Sequence, residues 1–222
     1  MTIRWGVRIP EAQALVWPNE RCIEVPLGYE VVAIHQPGWV LDAGCGVNRH
    51  MTLSGKANVI HFTQNLRSEK IDVGEGRRGY LGGDLRDLSL FADRGFDRTI
   101  CLSTLEHIGF DNTTYGGAKE LNPDSMFDAL EQLCRVTDRT LLITVPFCEQ
   151  LNACAQWRYI SPDDLRLMGE IAESHGYATA VRYYGKNDSG HWYGGEPTPV
   201  AATATDFPEK VNAFAAMRCV RE

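Results

Sequence analysis

Short apolar runs that fail to alternate constrain this chain more than any other feature. Gly38-Trp39-Val40-Leu41-Asp42, the stretch from Asn58 to Thr63, the stretch from Phe96 to Ser103 and the stretch from Thr140 to Pro146 are each the length of a strand. A strand wetted on one side alternates apolar and polar residues, whereas a strand covered on both faces does not. A weaker run, Arg78 to Asp84, lies between the second and third of these. Helical patterns separate the later ones. Asn122-Pro123-Asp124 reads as an N-cap followed by a first-turn proline. It predicts a helix over 123–138 with Met126, Phe127, Leu130, Leu133 and Cys134 on one face. Ser161-Pro162-Asp163-Asp164 opens a second helix, which Gly176 closes. Strands alternating with helices predict a doubly wound α/β fold, with a mostly parallel sheet of about seven strands and helices on both faces.

The last quarter differs. Tyr177 to Tyr184 reads as a strand, Gly185 to Pro208 as a long loop rich in Gly, Pro and aromatics, and Val211 to Val220 as a final strand. A loop of that length in a compact domain is usually functional or disordered.

Bulk properties exclude several classes. The 222 residues carry a net charge of −7, and no Lys/Arg cluster exceeds the pair Arg77-Arg78. A nucleic-acid binder would present a basic face, so no nucleic acid is expected. No apolar run approaches the length of a membrane span, and residues 1–10 read as neither signal peptide nor anchor. The seven cysteines are odd in number and form no CxxC pair. They read as reduced thiols of a cytoplasmic protein.

The first polar site follows the first run. In Val40-Leu41-Asp42-Ala43-Gly44-Cys45-Gly46-Val47-Asn48 an acid ends a strand, and glycines follow at two-residue spacing. Glycines allow a tight turn and close backbone approach to a ligand. The start of the next helix offers N–H groups to a carboxylate, and Asp42 offers an acceptor to an ammonium. The loop therefore suits the amino-acid end of a ligand. A dinucleotide-binding Gly-x-Gly-x-x-Gly wants glycine where Arg49 stands, which disfavours a nicotinamide oxidoreductase.

Three further segments fall in order: Gly82-Gly83-Asp84-Leu85; Phe96 to Ile108, ending Ser103-Thr104-Leu105-Glu106-His107-Ile108; and Leu130 to Val136 followed by Leu142-Ile143-Thr144-Val145-Pro146. From about Gly38 to Phe147 this series resembles the class I S-adenosylmethionine-dependent methyltransferases. Ser103 to Gly109, with Asp111-Asn112-Thr113 and Tyr115-Gly116, is similar to a bacterial subset acting on small molecules and surface polysaccharides. The resemblance implies a Rossmann-like sheet with its last strand antiparallel and S-adenosylmethionine as cofactor. It implies a single domain over 1–222, with a cover segment at 1–37, a cofactor-binding core at 38–147 and substrate-side strands and loop at 148–222. Asp42, Ala43, Gly44, Cys45 and Gly46 would hold the methionine part, Thr63 the ribose, Asp84 and Leu85 the adenine, and Ser103 and Thr104 the methionine end.

The chain departs from the family in two places. Asn48 replaces the third glycine. Thr63, with Gln64 and Asn65, stands where most members carry the acid that holds the ribose hydroxyls, and neutral acceptors bind a diol more weakly than ionised ones. This departure keeps open a noncatalytic S-adenosylmethionine-binding module. The expected reaction is methyl transfer to a small-molecule acceptor, with a hydroxyl preferred. His107 is the candidate base, since imidazole titrates near neutrality; the alternative is a structural histidine bonded to a backbone carbonyl. Glu106, Tyr115, His191 and Tyr193 are the substrate-side candidates. No metal is expected, because Glu106 and His107 supply two ligands at most. The chain is compatible with a homodimer.

Overall fold

The computed structural model describes residues 15–16, 19–33, 38–46, 58–64, 78–113, 119–149, 153–154, 156–201 and 211–221. Its strands are β1 (Leu15–Val16), β2 (Trp39–Ala43), β3 (Asn58–Thr63), β4 (Arg78–Gly82), β5 (Phe96–Leu102), β6 (Thr137–Pro146), β7 (Ala178–Lys186), β8 (His191–Gly195) and β9 (Ala213–Val220). The helices are α1 (Arg21–Ala33), α2 (Ser125–Val136), α3 (Pro162–Ser174) and α4 (Pro197–Ala201). The strands form one sheet in the order β1-β8-β7-β9-β6-β5-β2-β3-β4. β2 to β6 run parallel, and β9 lies antiparallel between β6 and β7. The antiparallel last strand is as expected. The sheet has nine strands among the described residues rather than about seven, because β8 and the two-residue β1 extend one edge.

The non-alternating runs are covered on both faces. On one face α1 packs Ile23, Leu27 and Val31 against Val40, Ile100, Leu102 and Leu142. On the other, Met126, Leu130 and Leu133 of α2 and Leu165 and Met168 of α3 pack against Leu41, Cys101, Leu141 and Ile143. Neighbouring strand residues thus enter opposite cores. Arg98 pins the end of α1 by donating to the Val31 carbonyl at 3.1 Å.

Three sequence expectations are corrected. Helix α2 begins at Ser125 rather than Pro123. The Asn122 backbone is tied to Gly109, whose carbonyl accepts from Asn122 N at 2.8 Å, so residues 122–124 form a turn instead of a cap. The helix also ends at Val136, because Thr137 already belongs to β6, its hydroxyl bonded to Thr99 at 2.5 Å. The supposed loop from Gly185 to Pro208 contains the β7–β8 hairpin and α4. By contrast, α3 starts as expected. Ser161 accepts from Asp164 N, and the Asp164 carboxylate accepts from Ser161 N, a reciprocal cap. Gly176 follows the helix at φ +83°, a left-handed position that suits glycine.

All seven cysteines are free thiols, with Cys45, Cys101, Cys134, Cys148 and Cys219 buried. Among the described residues, no helix is long and apolar enough to cross a membrane.

Candidate active site

A cleft opens where β2, β3, β4 and β5 reach their C-terminal ends. The chain leaves β2 for β3 on one side and later returns to β5 on the other, and such a switch point is where open α/β sheets bind ligands. Gly44, Thr63, Asp84, Leu85, Ser103, Thr104 and His107 line this single space. Arg21, Phe62, Gln64, Gly83, Ile108 and Asn112 complete its wall.

Glycine is required at two points of the wall. Gly44 has φ +87°, and a Cβ there would lie 2.2 Å from Thr104 Oγ1. A Cβ on Gly83 would lie 2.6 Å from the Phe62 ring. The backbone is thus drawn tightly against Thr104 and Phe62. The Gly44 amide donates to the Phe62 carbonyl at 2.8 Å, which ties the loop to β3. The helix start expected to offer free amides, from Val47 onward, lies outside the described residues.

Asp42 occupies a different place from the one its motif suggested. Its carboxylate is fully buried and bonds His61 Nδ1 at 2.8 Å, so it does not reach the cleft surface. The two residues are direct register partners on β2 and β3. His61 stacks on Tyr80, with ring centroids 4.7 Å apart. Cys45 brings a third donor, and ligating atoms of Asp42, Cys45 and His61 lie within 4.8 Å of one another. Three such donors are one short of the tetrahedral set of a structural zinc site. Ala43, Cys45 and Gly46 lie behind the wall, with Ala43 and Cys45 fully buried. Cys45 has φ +57°, a strained position held inside the turn.

Asp84 lies in the cleft as expected, but its carboxylate is already engaged. Arg86 donates to it through its backbone N at 2.9 Å and through Nη2 at 2.6 Å. Arg86 also pairs with Glu120 at 2.7 Å. Burial raises the Asp84 carboxyl, but the Arg86 hydrogen bonds outweigh it and hold the group below its ordinary value.

His107 ends a 3-10 turn (Leu105–His107) that follows β5. Its Nδ1 lies 2.9 Å from the Gln156 carbonyl, which can only accept, so Nδ1 carries a proton and the acceptor of the neutral ring is Nε2. The backbone bond and a role as base are therefore compatible. Asn112 steadies the turn by donating to the His107 carbonyl at 2.8 Å.

The other substrate-side candidates are not brought to this wall. Glu106 is buried behind it. Tyr115 lies outside the described residues. His191 and Tyr193 belong to β8, separated from β5 by β7, β9 and β6, and the expectation that they sit in an acceptor loop is corrected. The residue that sequence reasoning missed most clearly is Arg21. It comes from α1 and is held by Glu24 at 2.7 Å.

The sequence matches no protein-family model and no curated protein at a significant level. Solved structures do match. One is a SAM-dependent methyltransferase from Methanosarcina mazei, 12% identical, covering 88% of this chain and 97% of that one, with a TM-score of 0.54. Another is 1,6-didemethyltoxoflavin-N1-methyltransferase from Burkholderia thailandensis, 15% identical, covering 90% and 78%, with a TM-score of 0.52. A third is the cyclase SpnF, 13% identical, covering 95% and 87%, with a TM-score of 0.54. At these identities the likeness establishes the fold alone: the chain has the Rossmann-like α/β architecture that these structures share.

Proposed function

We propose that this protein binds S-adenosylmethionine in the cleft and transfers its methyl group to a small-molecule acceptor, preferentially at a hydroxyl. The observation that carries this is the convergence of Gly44, Asp84 and Ser103, from three separate strand ends, on one space. The residues present fit such a cofactor. Gly44 and Thr104 would take the methionine part. Thr63 and Gln64 offer neutral partners to a diol. Asp84 would accept from the adenine amino group beside the bonds it takes from Arg86, and Leu85 would lie against the ring.

When bound, the cofactor supplies a methyl carbon already activated by a sulfonium, so the protein's main task is alignment. His107, with its proton on Nδ1 and its lone pair on Nε2, would take the proton from an acceptor hydroxyl. Buried thiols agree with a cytoplasmic setting.

Calorimetry with S-adenosylhomocysteine tests the cofactor site. Asp84→Ala is expected to weaken that binding by about 1–3 kcal/mol, the cost of an unmet buried hydrogen bond. Unchanged affinity in a folded variant contradicts the adenine assignment. A methyl-transfer assay over sugars and phenols tests the reaction. A second reading, cofactor binding without transfer, is favoured by Thr63 in place of an acid; tight binding with no product from any acceptor supports it.

A further inference from the structure

The turn after β4 is fixed by its backbone and by its apolar residues. Leu85 and Leu88 enter the core, and Asp87 N donates to the Asp84 carbonyl at 3.0 Å. Asp84 and Arg86 are thereby held where their side chains meet. Arg86 N donates to Asp84 Oδ1 at 2.9 Å and closes an Asx turn. The guanidinium then forks onto the same carboxylate: Nη2 lies 2.6 Å from Oδ2, and Nε lies 3.0 Å from Oδ1 and 3.1 Å from Oδ2. Nη1, the remaining nitrogen, donates to both oxygens of Glu120 at 2.7 Å. Glu120 itself stands on an anchored stretch, since Asn122 N is tied to the Gly109 carbonyl at 2.8 Å. A single half-exposed ion pair contributes little, but a forked arginine joined to a second carboxylate is the arrangement that fixes geometry.

A carboxylate has about four lone-pair sites. Three donors of Arg86 fill both sites of Asp84 Oδ1 and one of Oδ2, so roughly one acceptor site remains, on Oδ2. Asp84 lines the cleft, whereas Arg86 and Glu120 do not, so these two act through it as positioning residues. A carboxylate free to rotate offers either oxygen to hydroxyls, amines and water alike. One held in this way presents a single acceptor in a fixed direction. We propose that Arg86, braced by Glu120, positions Asp84 so that the cleft selects a base carrying an exocyclic amino group where adenine carries its own. This rests on the cleft being the S-adenosylmethionine site with its adenine at Asp84. It adds two residues, neither in contact with the cofactor, that set how sharply the amino group is read.

The fork and the base draw on the same carboxylate, and the sign of their coupling separates two accounts. If Arg86 competed with the base, removing it would strengthen recognition of the amino group. If Arg86 orients Asp84, removing it lets the carboxylate turn, and the amino group meets an acceptor without a fixed direction. Orientation is favoured because the fork leaves one site of Oδ2 unused and Glu120 holds the guanidinium from its far side. The guanidinium therefore need not move for a base to bind. Lysine cannot replace it: an ammonium is a point charge without a planar fork. Arg86→Lys thus keeps a positive charge beside Asp84 and loses the orientation.

The experiment compares S-adenosylhomocysteine with its 6-deamino analogue, in which purine replaces adenine and nothing else changes. Calorimetry reads both affinities. The wild type is expected to bind S-adenosylhomocysteine about ten- to a hundredfold more tightly, the effect of one hydrogen bond to a charged acceptor. Arg86→Gln and Arg86→Lys are each expected to bring that ratio below about threefold, chiefly by weakening S-adenosylhomocysteine. A substitution that merely loosens the fold weakens both ligands alike and leaves the ratio unchanged. Glu120→Ala, which spares the fork and frees its far end, is expected to give an intermediate ratio, and it decides the matter if the Arg86 variants do not fold. A ratio that holds or rises in the variants overturns the positioning role and leaves the cofactor site standing. A wild-type ratio near one overturns it together with the adenine assignment of Asp84. Failure to bind either ligand overturns the cofactor reading and this one with it.

Discussion

Replacing Gly44 by alanine tests the geometry on which the cleft depends, because the structure separates the cost into two parts. The first is conformational: at φ +87° an L residue sits in the left-handed region, at about 1–2 kcal/mol. The second is steric. The new Cβ would lie 2.2 Å from Thr104 Oγ1, 2.7 Å from its Cγ2 and 2.9 Å from its Cβ. Rotating the threonine side chain leaves its Cβ in the way and breaks the bond from Oγ1 to the Leu102 carbonyl, 3.0 Å long. The loop must move, and overpacking of this kind costs about 1–3 kcal/mol. Gly44→Ala is therefore expected to cost about 2–5 kcal/mol in urea unfolding, roughly 2–4 °C of Tm per kcal/mol for a chain of this size. Thr104→Gly removes all three offending atoms. In that background Gly44→Ala should cost only the conformational part, leaving a coupling of about 1–3 kcal/mol between the sites. A cycle that closes with no coupling refutes the close approach of the loop to the end of β5, and with it the cradle.

Other substitutions probe separate parts of the fold. Glu106 holds its proton in the folded state above the pH at which it ionises in the unfolded chain, so the native state binds more protons over that interval and loses stability as pH rises through it. Glu106→Gln should thus gain stability relative to wild type at neutral pH and lose that advantage as pH falls to about 4; a gain that grows toward acid opposes the assignment. Ser161→Ala removes the reciprocal cap of α3 and should cost about 0.5–2 kcal/mol in denaturant unfolding. Tyr177→Phe removes a hydroxyl that donates to the Thr137 carbonyl at 2.5 Å, where α2 passes into β6. Chemical denaturation should register about 0.5–1.5 kcal/mol, and no change would mean the bond adds nothing net.

What the sequence disclosed follows physical range. The sheet was legible because each buried strand declares itself locally, in Val40-Leu41 or Ile100-Cys101-Leu102, without reference to its partners. The cradle was legible for the same reason: Gly44 and Gly83 act through their own backbone. Asp42 was misplaced because its fate depends on register, which puts His61 beside it across the β2–β3 pair. His191 and Tyr193 were misplaced through an overlooked hairpin. Trp192 is buried between two half-exposed neighbours, and Gly190 turns at φ +80° while Asn187 Oδ1 accepts from His191 N at 2.9 Å. Asn187-Asp188-Ser189-Gly190 followed by that alternation is a turn-and-strand signal, and aromatic content obscured it. The start of α2 was missed because the tie between Asn122 and Gly109 spans a loop.

Ser103 ties helix α1 to the cleft. Its φ of +40° is strained for serine, at about 1–3 kcal/mol, and such a conformation persists only where the surroundings over-determine it. Two of the restraints come from β6, where the carbonyl and hydroxyl of Thr144 accept from Ser103 N at 3.0 and 3.1 Å. The third comes from Glu24, 79 residues earlier in the chain. Helix α1 thus does more than shield the face formed by Val40 and Ile100. By gripping Ser103 it fixes the backbone at the strand end where the transferred methyl would lie, and through Arg21 it supplies part of the cleft wall. A polar anchor on the strand side and apolar packing on the helix side hold the same element. A cover helix that merely rested on the sheet would need only the second.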